Sequence, residues 1–140
     1  MSDCIFCKII QGEIPSNKVY EDDHVFAFLD INPLTNGHTL VVPKVHAARI
    51  GELTGEQAAA YFREVPAITQ AVEAAVEADG ATLAWNDGEA AGQEVPHAHL
   101  HIVPRWDGDG YGPIHALFGG PGQAEGLDKV QEAVQAALDR

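Results

Sequence analysis

The chain has 140 residues, an apolar fraction of 46% and a formal net charge of −13. The length suits one domain with its own core, so residues 1–140 are interpreted as a single domain. The charge argues against binding to nucleic acid or to an anionic membrane, because such partners usually require a basic face. The acidity predicts a solvated surface or, alternatively, adaptation to high salt.

No secretory signal is recognisable in the first residues, and no apolar run approaches the roughly 20 residues that cross a bilayer. We therefore expect a cytoplasmic protein. Residues 4–10 form a short apolar segment, and residues 25–29 and 39–42 are typical of strands. The intervening loop, residues 30–37, contains a proline and an Asn-Gly turn. Pro43 closes the second strand, because proline cannot donate to a strand ladder.

A long central helix is predicted to follow. Thr54 and Gln57 have the spacing of a capping box. Apolar residues then recur at helical spacing: Tyr61, Val65, Ile68, Val72 and Val76. Gly80 is a candidate helix end, and Pro66 should bend the helix because it removes one backbone donor.

The remaining sequence predicts strands at residues 82–85 and 98–103, followed by a helix with apolar positions at Leu127, Val130, Val134 and Leu138. Glycine-rich loops are expected at residues 86–92 and 107–113, and the second is a candidate mobile flap. Strand pairs separated by helices favour an α+β fold with an antiparallel sheet over a doubly wound parallel one.

Three histidines alternate with apolar residues at His97, His99 and His101. Alternate residues of a strand share a face, so the imidazoles should line one face and the apolar residues the other. A neutral imidazole is a good nucleophile near pH 7, and its second nitrogen can be held by a hydrogen bond. The central His99 is the natural nucleophile. Alternatively, two of these histidines and a third ligand could form a catalytic zinc site.

Residues 97–103 resemble the His-φ-His-φ-His-φ-φ signature of the histidine triad (HIT) family, where φ is an apolar residue. The resemblance extends over most of the chain. It includes CIFCKII at residues 4–10, DINP at 30–33, GHTLVVPKVH at 37–46 and the segment at 86–93. Residues 111–140 carry no motif of this family that we recognise.

This resemblance implies an antiparallel sheet of about five strands, one long central helix and a C-terminal helix, in a domain that pairs as a homodimer. It implies nucleotide hydrolases and transferases that act at the α-phosphorus of a nucleoside phosphoramidate or dinucleoside polyphosphate. His99 would attack and form a covalent nucleotidyl-histidine, and water would release the nucleoside monophosphate. The partner would be a purine nucleotide or nucleotide conjugate, and no organic cofactor is implied.

The resemblance also implies roles for other residues. His38 would orient the triad and act with His99 and His101 in catalysis. Nucleotide contacts would come from Asp30 and Ile31 at the ribose and base, and from Asn86, Gln93 and His101 at phosphate oxygens. Glu94 departs from the pattern, because many members carry a hydroxyl residue there. A carboxylate accepts hydrogen bonds and would repel phosphate.

Cys4 and Cys7 have the spacing of metal ligands, although two small buried residues or a redox pair would look the same. Several HIT proteins bind a structural zinc with two cysteines and two histidines, and the matching residues here are Cys4, Cys7, His46 and His97. A closed Cys₂His₂ site would hold the N-terminus rather than catalyse.

Two other functions remain open from the sequence. A nucleotide sensor would bind without turnover, whereas a metal-dependent hydrolase would lose activity in chelator. The sequence does not identify the base, the leaving group or the physiological substrate.

Overall fold

Five strands form one antiparallel sheet: β1 (Lys18–Glu21), β2 (Val25–Leu29), β3 (Thr39–Pro43), β4 (Gly80–Ala84) and β5 (Leu100–Arg105). Their order across the sheet is β1-β2-β3-β5-β4. The computed structural model of the protein describes residues 3–123 and 126–139. With its helices, this sheet confirms the predicted α+β class and antiparallel arrangement.

The helices are α1 (Ile5–Ile10), α2 (Gly55–Phe62), α3 (Val65–Ala75) and α4 (Leu127–Leu138). Short 3₁₀ helices cover Ile50–Glu52, Glu89–Ala91 and Ile114–Phe118. Within the described ranges, none of the helices combines the length and the apolar character that a membrane span requires. The short apolar segment at residues 4–10 contains α1, and the predicted C-terminal helix is confirmed as α4.

The predicted long central helix is divided into α2 and α3. Thr54 and Gln57 form the expected capping box at the start of α2. The division falls just before Pro66, which occupies the first turn of α3. Proline is tolerated in a first turn, where its missing N–H has no helical partner, whereas inside a continuous helix it would remove one hydrogen bond. The chain thus starts a new helix at Val65 instead of bending one.

The end of α3 also differs from the prediction. The helix ends at Ala75, and the chain reverses at Glu77, which has a positive φ of 53°. Gly80, the candidate helix end, instead begins β4. Backbone hydrogen bonds from Glu77 to Ala74 and from Ala78 to Glu73 close the last turn, so the carbonyls there are already satisfied upstream of Gly80.

Apolar side chains cover both faces of the sheet. The core between one face and helices α2 and α3 consists of Val25, Ala27, Val41, Tyr61, Val65, Ile68, Val72, Leu100 and Ile102. The core between the other face and α1 consists of Cys4, Phe6, Cys7, Ile9, Phe26, Phe28, Leu40 and Val42. The alternation along β5 therefore separates two environments, as the sequence predicts. Leu100 and Ile102 face α2 and α3, and the histidines lie on the opposite side, which α1 covers.

The register places the functional segment in the middle of the sheet. Leu40 of β3 pairs with His101 of β5, and Val41 pairs with Leu100. The strand predicted at residues 98–103 begins two residues later, at Leu100. The preceding residues form a turn, in which the His97 amide donates to Val95 and the Ala98 amide to Ala47.

The chain forms two compact units, residues 1–109 and 110–140. The first contains the sheet, α1, α2 and α3. The second contains Ile114–Phe118 and α4. The start of the predicted flap is a turn whose Asp109 carboxylate accepts hydrogen bonds from the Arg105 side chain and the Trp106 amide.

Candidate active site

Among the residues that the structure describes, the His99 ring makes one hydrogen bond, which engages Nδ1 and leaves Nε2 without a partner. Its Nδ1 lies 2.7 Å from the carbonyl oxygen of His97. A carbonyl only accepts, so Nδ1 carries the proton and donates. The Nε2 atom of neutral His99 therefore holds an unprotonated lone pair. The imidazole is 7% exposed, which limits the orientations this lone pair can take.

His38 and His101 form a hydrogen-bonded pair beside His99. The Leu34 amide donates to Nδ1 of His38 at 3.0 Å, so the proton of neutral His38 is on Nε2. That Nε2 lies 2.9 Å from Nδ1 of His101 and donates to it. The proton of neutral His101 is therefore on its Nε2, which can donate to a group outside the pair. His99 and His101 have ring centroids 5.0 Å apart.

Burial keeps these imidazoles neutral. It lowers the pKa of His101 to about 4, with repulsion from His99 and His38 acting in the same direction. Burial likewise lowers the pKa of His99, against the opposing effects of its bond to His97 and of Asp30. It also lowers the pKa of His38, again opposed by Asp30. At pH 7 the site therefore presents a lone pair on His99 and a neutral donor on His101.

Cys4, Cys7, His46 and His97 form a cluster on the α1 side of the sheet, with one ligand atom of each within 4.8 Å of the others. Cys4 Sγ lies 3.3 Å and Cys7 Sγ 3.6 Å from His97 Nδ1, and Cys7 Sγ lies 3.4 Å from His46 Nδ1. Tetrahedral zinc with ordinary bond lengths places sulfur and nitrogen about 3.6 Å apart. The spacing therefore fits a Cys₂His₂ site.

The protonation of the cluster also suits a cation. His97 Nε2 donates to the Pro43 carbonyl at 2.8 Å, so its Nδ1 lone pair faces the two sulfurs. Burial and the neighbouring Cys4 raise the pKa of Cys7, which stays a thiol until a cation stabilises the thiolate. His97 is fully buried and turned toward the cysteines. Zinc bound here would hold α1 against the sheet.

Phe6 contacts both the cysteine cluster and His99. It lies in α1 between the two cysteines and is 6% exposed. Its ring makes edge-on contacts with His99 at 5.1 Å, His97 at 5.9 Å and Phe28 at 5.6 Å between centroids. No sequence motif marks Phe6 as part of the site, although its place between Cys4 and Cys7 in an apolar segment was a usable signal.

Comparison with known proteins identifies the family. A family model described as HIT domain matches residues 11–108. The chain belongs to the HIT family. It is 47% identical over 136 residues to Protein hit of Bacillus subtilis (strain 168), covering 96% of this chain and 94% of that protein. It is 36% identical over 127 residues to adenosine 5′-monophosphoramidase HNT1 of Saccharomyces cerevisiae, covering 91% of this chain and 75% of that protein.

Solved structures of HIT proteins share the fold. A crystal structure of a HIT family member from Bacillus subtilis superposes with a TM-score of 0.85 and 46% identity, covering 99% of both chains. A zinc-bound histidine triad family protein from Mycobacterium smegmatis superposes with a TM-score of 0.74 and 37% identity, covering 99% of this chain and 96% of that one. These matches confirm the predicted HIT-like fold.

The two residues expected at the ribose and base in this HIT protein follow β2. Asp30 lies beside the histidine pair, with Oδ2 3.7 Å from Nδ1 of His38. Its Oδ1 accepts from the Asn32 amide at 2.9 Å, which fixes the carboxylate. Ile31 projects into solvent and is 81% exposed. Asp30, His38 and His101 also offer ligand atoms within 4.8 Å of one another, but both nitrogens of His38 are engaged in hydrogen bonds.

The residues expected at phosphate oxygens differ in their freedom. Asn86 is exposed, and its nucleotide role stays a prediction. Gln93 is buried and holds three backbone groups: its Oε1 accepts from Gly88, and its Nε2 donates to Ala48 and Val95. The amide thus joins the loop that follows β3, the loop that follows β4 and the segment that leads to His97. Glu94, the departure from the family pattern, is exposed.

Proposed function

We propose that this HIT protein hydrolyses a nucleoside phosphoramidate or dinucleoside polyphosphate at the α-phosphorus, through a covalent intermediate on His99. The observation that carries the proposal is the free Nε2 lone pair of His99, left by the bond from Nδ1 to the His97 carbonyl. A nucleophile held neutral and aimed by its second nitrogen suits phosphoryl attack. The 36% identity to an adenosine 5′-monophosphoramidase supports the substrate class.

The reaction has two displacements. The His99 lone pair forms a bond to phosphorus as the bond to the leaving group breaks, and the leaving group departs with that bond's electron pair and takes a proton from solvent. Water then attacks the phosphorus, breaks the bond to His99 and gives one proton to solvent. The nucleoside monophosphate carries the water oxygen, and His99 is restored. Imidazole serves both steps because it is a nucleophile and a fair leaving group.

His101 has the geometry to stabilise charge on the phosphoryl oxygens. Its Nε2–H is the terminal donor of the chain that begins at the Leu34 amide and passes through His38. Donors fixed in advance cost little reorganisation as charge develops, and losing one such donor commonly costs ~100–1,000-fold in rate. We propose that Asp30 and Ile31 contact the ribose and base, with Asp30 beside His38, and that Asn86 and Gln93 contact phosphate oxygens.

The decisive experiment captures the intermediate. The protein is mixed with adenosine or guanosine 5′-monophosphoramidate, quenched in neutral denaturant and measured by intact mass. We expect a nucleotidyl adduct on the wild type, none on His99→Ala, and an unchanged adduct on His24→Ala, a control at an exposed histidine. Binding without turnover or adduct, with dinucleoside polyphosphates also tested, would favour a sensor. Loss of chemistry in chelator with the fold intact would favour a metal-dependent hydrolase.

We propose that Cys4, Cys7, His46 and His97 hold a structural zinc. The support is their sulfur–nitrogen spacing and the orientation of the His97 lone pair. Bound zinc would supply no open position for substrate, because four protein ligands close a tetrahedral site. Elemental analysis of untagged protein should find close to one zinc per chain, and markedly less in Cys4→Ser. A wild-type value below a few tenths would contradict the assignment.

We further propose that the protein forms a homodimer, as the family resemblance implies. β4 ends one side of the sheet and leaves its outer edge unpaired within the described chain. Sedimentation equilibrium of the full chain should give twice the monomer mass of 14.9 kDa. A monomer across micromolar concentrations would contradict this proposal.

A further inference from the structure

The loop between β2 and β3 is tied to the strand that carries His101. Thr35 Oγ1 donates to the Pro104 carbonyl at 2.7 Å, three residues beyond His101 on β5. The Thr35 carbonyl accepts from the His38 amide at 3.1 Å. These two bonds fix the loop where the Leu34 amide meets Nδ1 of His38 at 3.0 Å. Two of these three bonds involve His38 itself, and the third holds the loop to the strand of His101.

Two groups compete to set the proton position on His38. The Leu34 amide can only donate, so it requires an unprotonated Nδ1. The Asp30 carboxylate, with Oδ2 3.7 Å from the same nitrogen, favours a proton there. The amide lies within hydrogen-bond distance and the carboxylate does not, so the amide determines the tautomer. This balance depends on the loop staying in place.

A shift of the loop would exchange the donor and acceptor roles of His38 and His101 without changing the charge of either ring. If the Leu34 amide moved away, the proton of His38 would pass to Nδ1, facing Asp30. Its Nε2 would then accept, so His101 would have to donate from Nδ1 and would carry a lone pair on Nε2. Each ring still holds one proton. The donor that we propose for the phosphoryl oxygens would be lost.

We propose that Thr35 is a positioning residue that fixes the tautomers of His38 and His101 through the Leu34 amide. The catalytic consequence rests on the proposed function, whereas the tautomer assignment does not. Thr35 acts on chemistry through two backbone groups and one imidazole, and it contacts no reacting atom. Its side chain is half-buried and its hydroxyl is already engaged with Pro104.

The test compares Thr35→Val with Thr35→Ser, which keeps the hydroxyl. Thr69→Val is the matched control, because the Thr69 hydroxyl donates to a backbone carbonyl at 2.8 Å in α3. Imidazole ¹⁵N spectra of the full chain at pH 8 report the tautomers, with signals assigned by His38→Gln and His101→Gln. The wild type should show His38 protonated on Nε2, and Thr35→Val should show a mixed or reversed state.

The kinetic readout is kcat against KM for adenosine 5′-monophosphoramidate. Losing one net hydrogen bond corresponds to a fall of about 2- to 10-fold, expected in kcat for Thr35→Val and absent in Thr35→Ser and Thr69→Val. Wild-type His38 protonated on Nδ1, or unchanged tautomers in Thr35→Val, would overturn the inference. Inactive wild-type protein would contradict the proposed function, and the spectra would still decide the tautomer assignment.

Discussion

Replacing Phe6 with leucine tests whether α1 supports the nucleophile through an aromatic contact. The ring meets the imidazole of His99 edge-on, with centroids 5.1 Å apart and an interplanar angle of 87°. Leucine keeps an apolar side chain at this buried position but removes the ring. Such an edge contact contributes ~0.5–1.5 kcal/mol beyond its buried area. If it orients His99 for attack, its loss lowers kcat by about 2- to 13-fold.

The same ring also contacts His97 and Phe28, so stability should fall as well. Three contacts of this kind amount to ~1.5–4.5 kcal/mol if they add, which is an upper range for the aromatic part of the loss in unfolding free energy. Phe26→Leu is the matched control. Phe26 is equally buried in the same core cluster, and its ring contacts Phe28 at 6.0 Å.

The assay measures kcat and KM for adenosine 5′-monophosphoramidate, the urea midpoint and the zinc content of both variants. We expect Phe6→Leu to lose kcat with KM nearly unchanged, while Phe26→Leu loses stability alone. Equal kcat in the two variants would refute a role for Phe6 in orienting His99. A loss of zinc in Phe6→Leu that accounts for the whole kcat change would refute the direct contact and assign the effect to the metal cluster.

Three further predictions concern pH, charge and a buried hydroxyl. Folding lowers the pKa of His101 from its ordinary value of 6.5 to about 4. As the pH falls below 6.5, His101 is therefore protonated in the unfolded chain before it is protonated in the folded one. Unfolding free energy from urea titrations should therefore decrease between pH 6.5 and 4, by at most ~3 kcal/mol from this group, and a pH dependence unchanged in His101→Asn would contradict this. Glu94→Gln should raise kcat/KM for dinucleoside polyphosphates by a few-fold and leave an amine-releasing phosphoramidate nearly unchanged, since the carboxylate repels an anionic leaving group; equal effects on both substrates would count against that reason. Tyr61→Phe should lower the unfolding free energy by ~1–3 kcal/mol, because the buried Tyr61 hydroxyl donates to the Val41 carbonyl at 2.6 Å, and an unchanged urea midpoint would disprove it.

The sequence predicted the elements whose patterns are regular. The strand at residues 25–29 and the capping box at Thr54 are confirmed, because each has a local physical cause. β1 (Lys18–Glu21) was not predicted. Its residues are mostly exposed and do not alternate, and the strand exists because β2 offers an edge to pair with. Likewise, α1 has only six residues, too few for a helical period to be distinguished from a short apolar run.

The composition of the candidate site was predictable and its proton positions were not. The alternation at His97, His99 and His101 already places the imidazoles on one side of a strand. Which nitrogen of each ring is protonated depends on the partner it meets, and these partners are backbone groups. The His97 carbonyl and the Leu34 amide set the tautomers of His99 and His38. Backbone groups are the same in every residue, so no side-chain pattern in the sequence marks them.

His97 takes part both in the cysteine cluster and in the hydrogen bond that orients the His99 ring. Its imidazole belongs to the cysteine cluster, while its carbonyl accepts the Nδ1 proton of His99. The two groups leave the same residue in different directions, so anything that rotates the His97 peptide disturbs both. Its Nε2 is held by Pro43, the last residue of β3, which restrains the ring from the sheet side. The spacing of two residues between His97 and His99 thus ties the cysteine cluster at α1 to the orientation of the His99 ring.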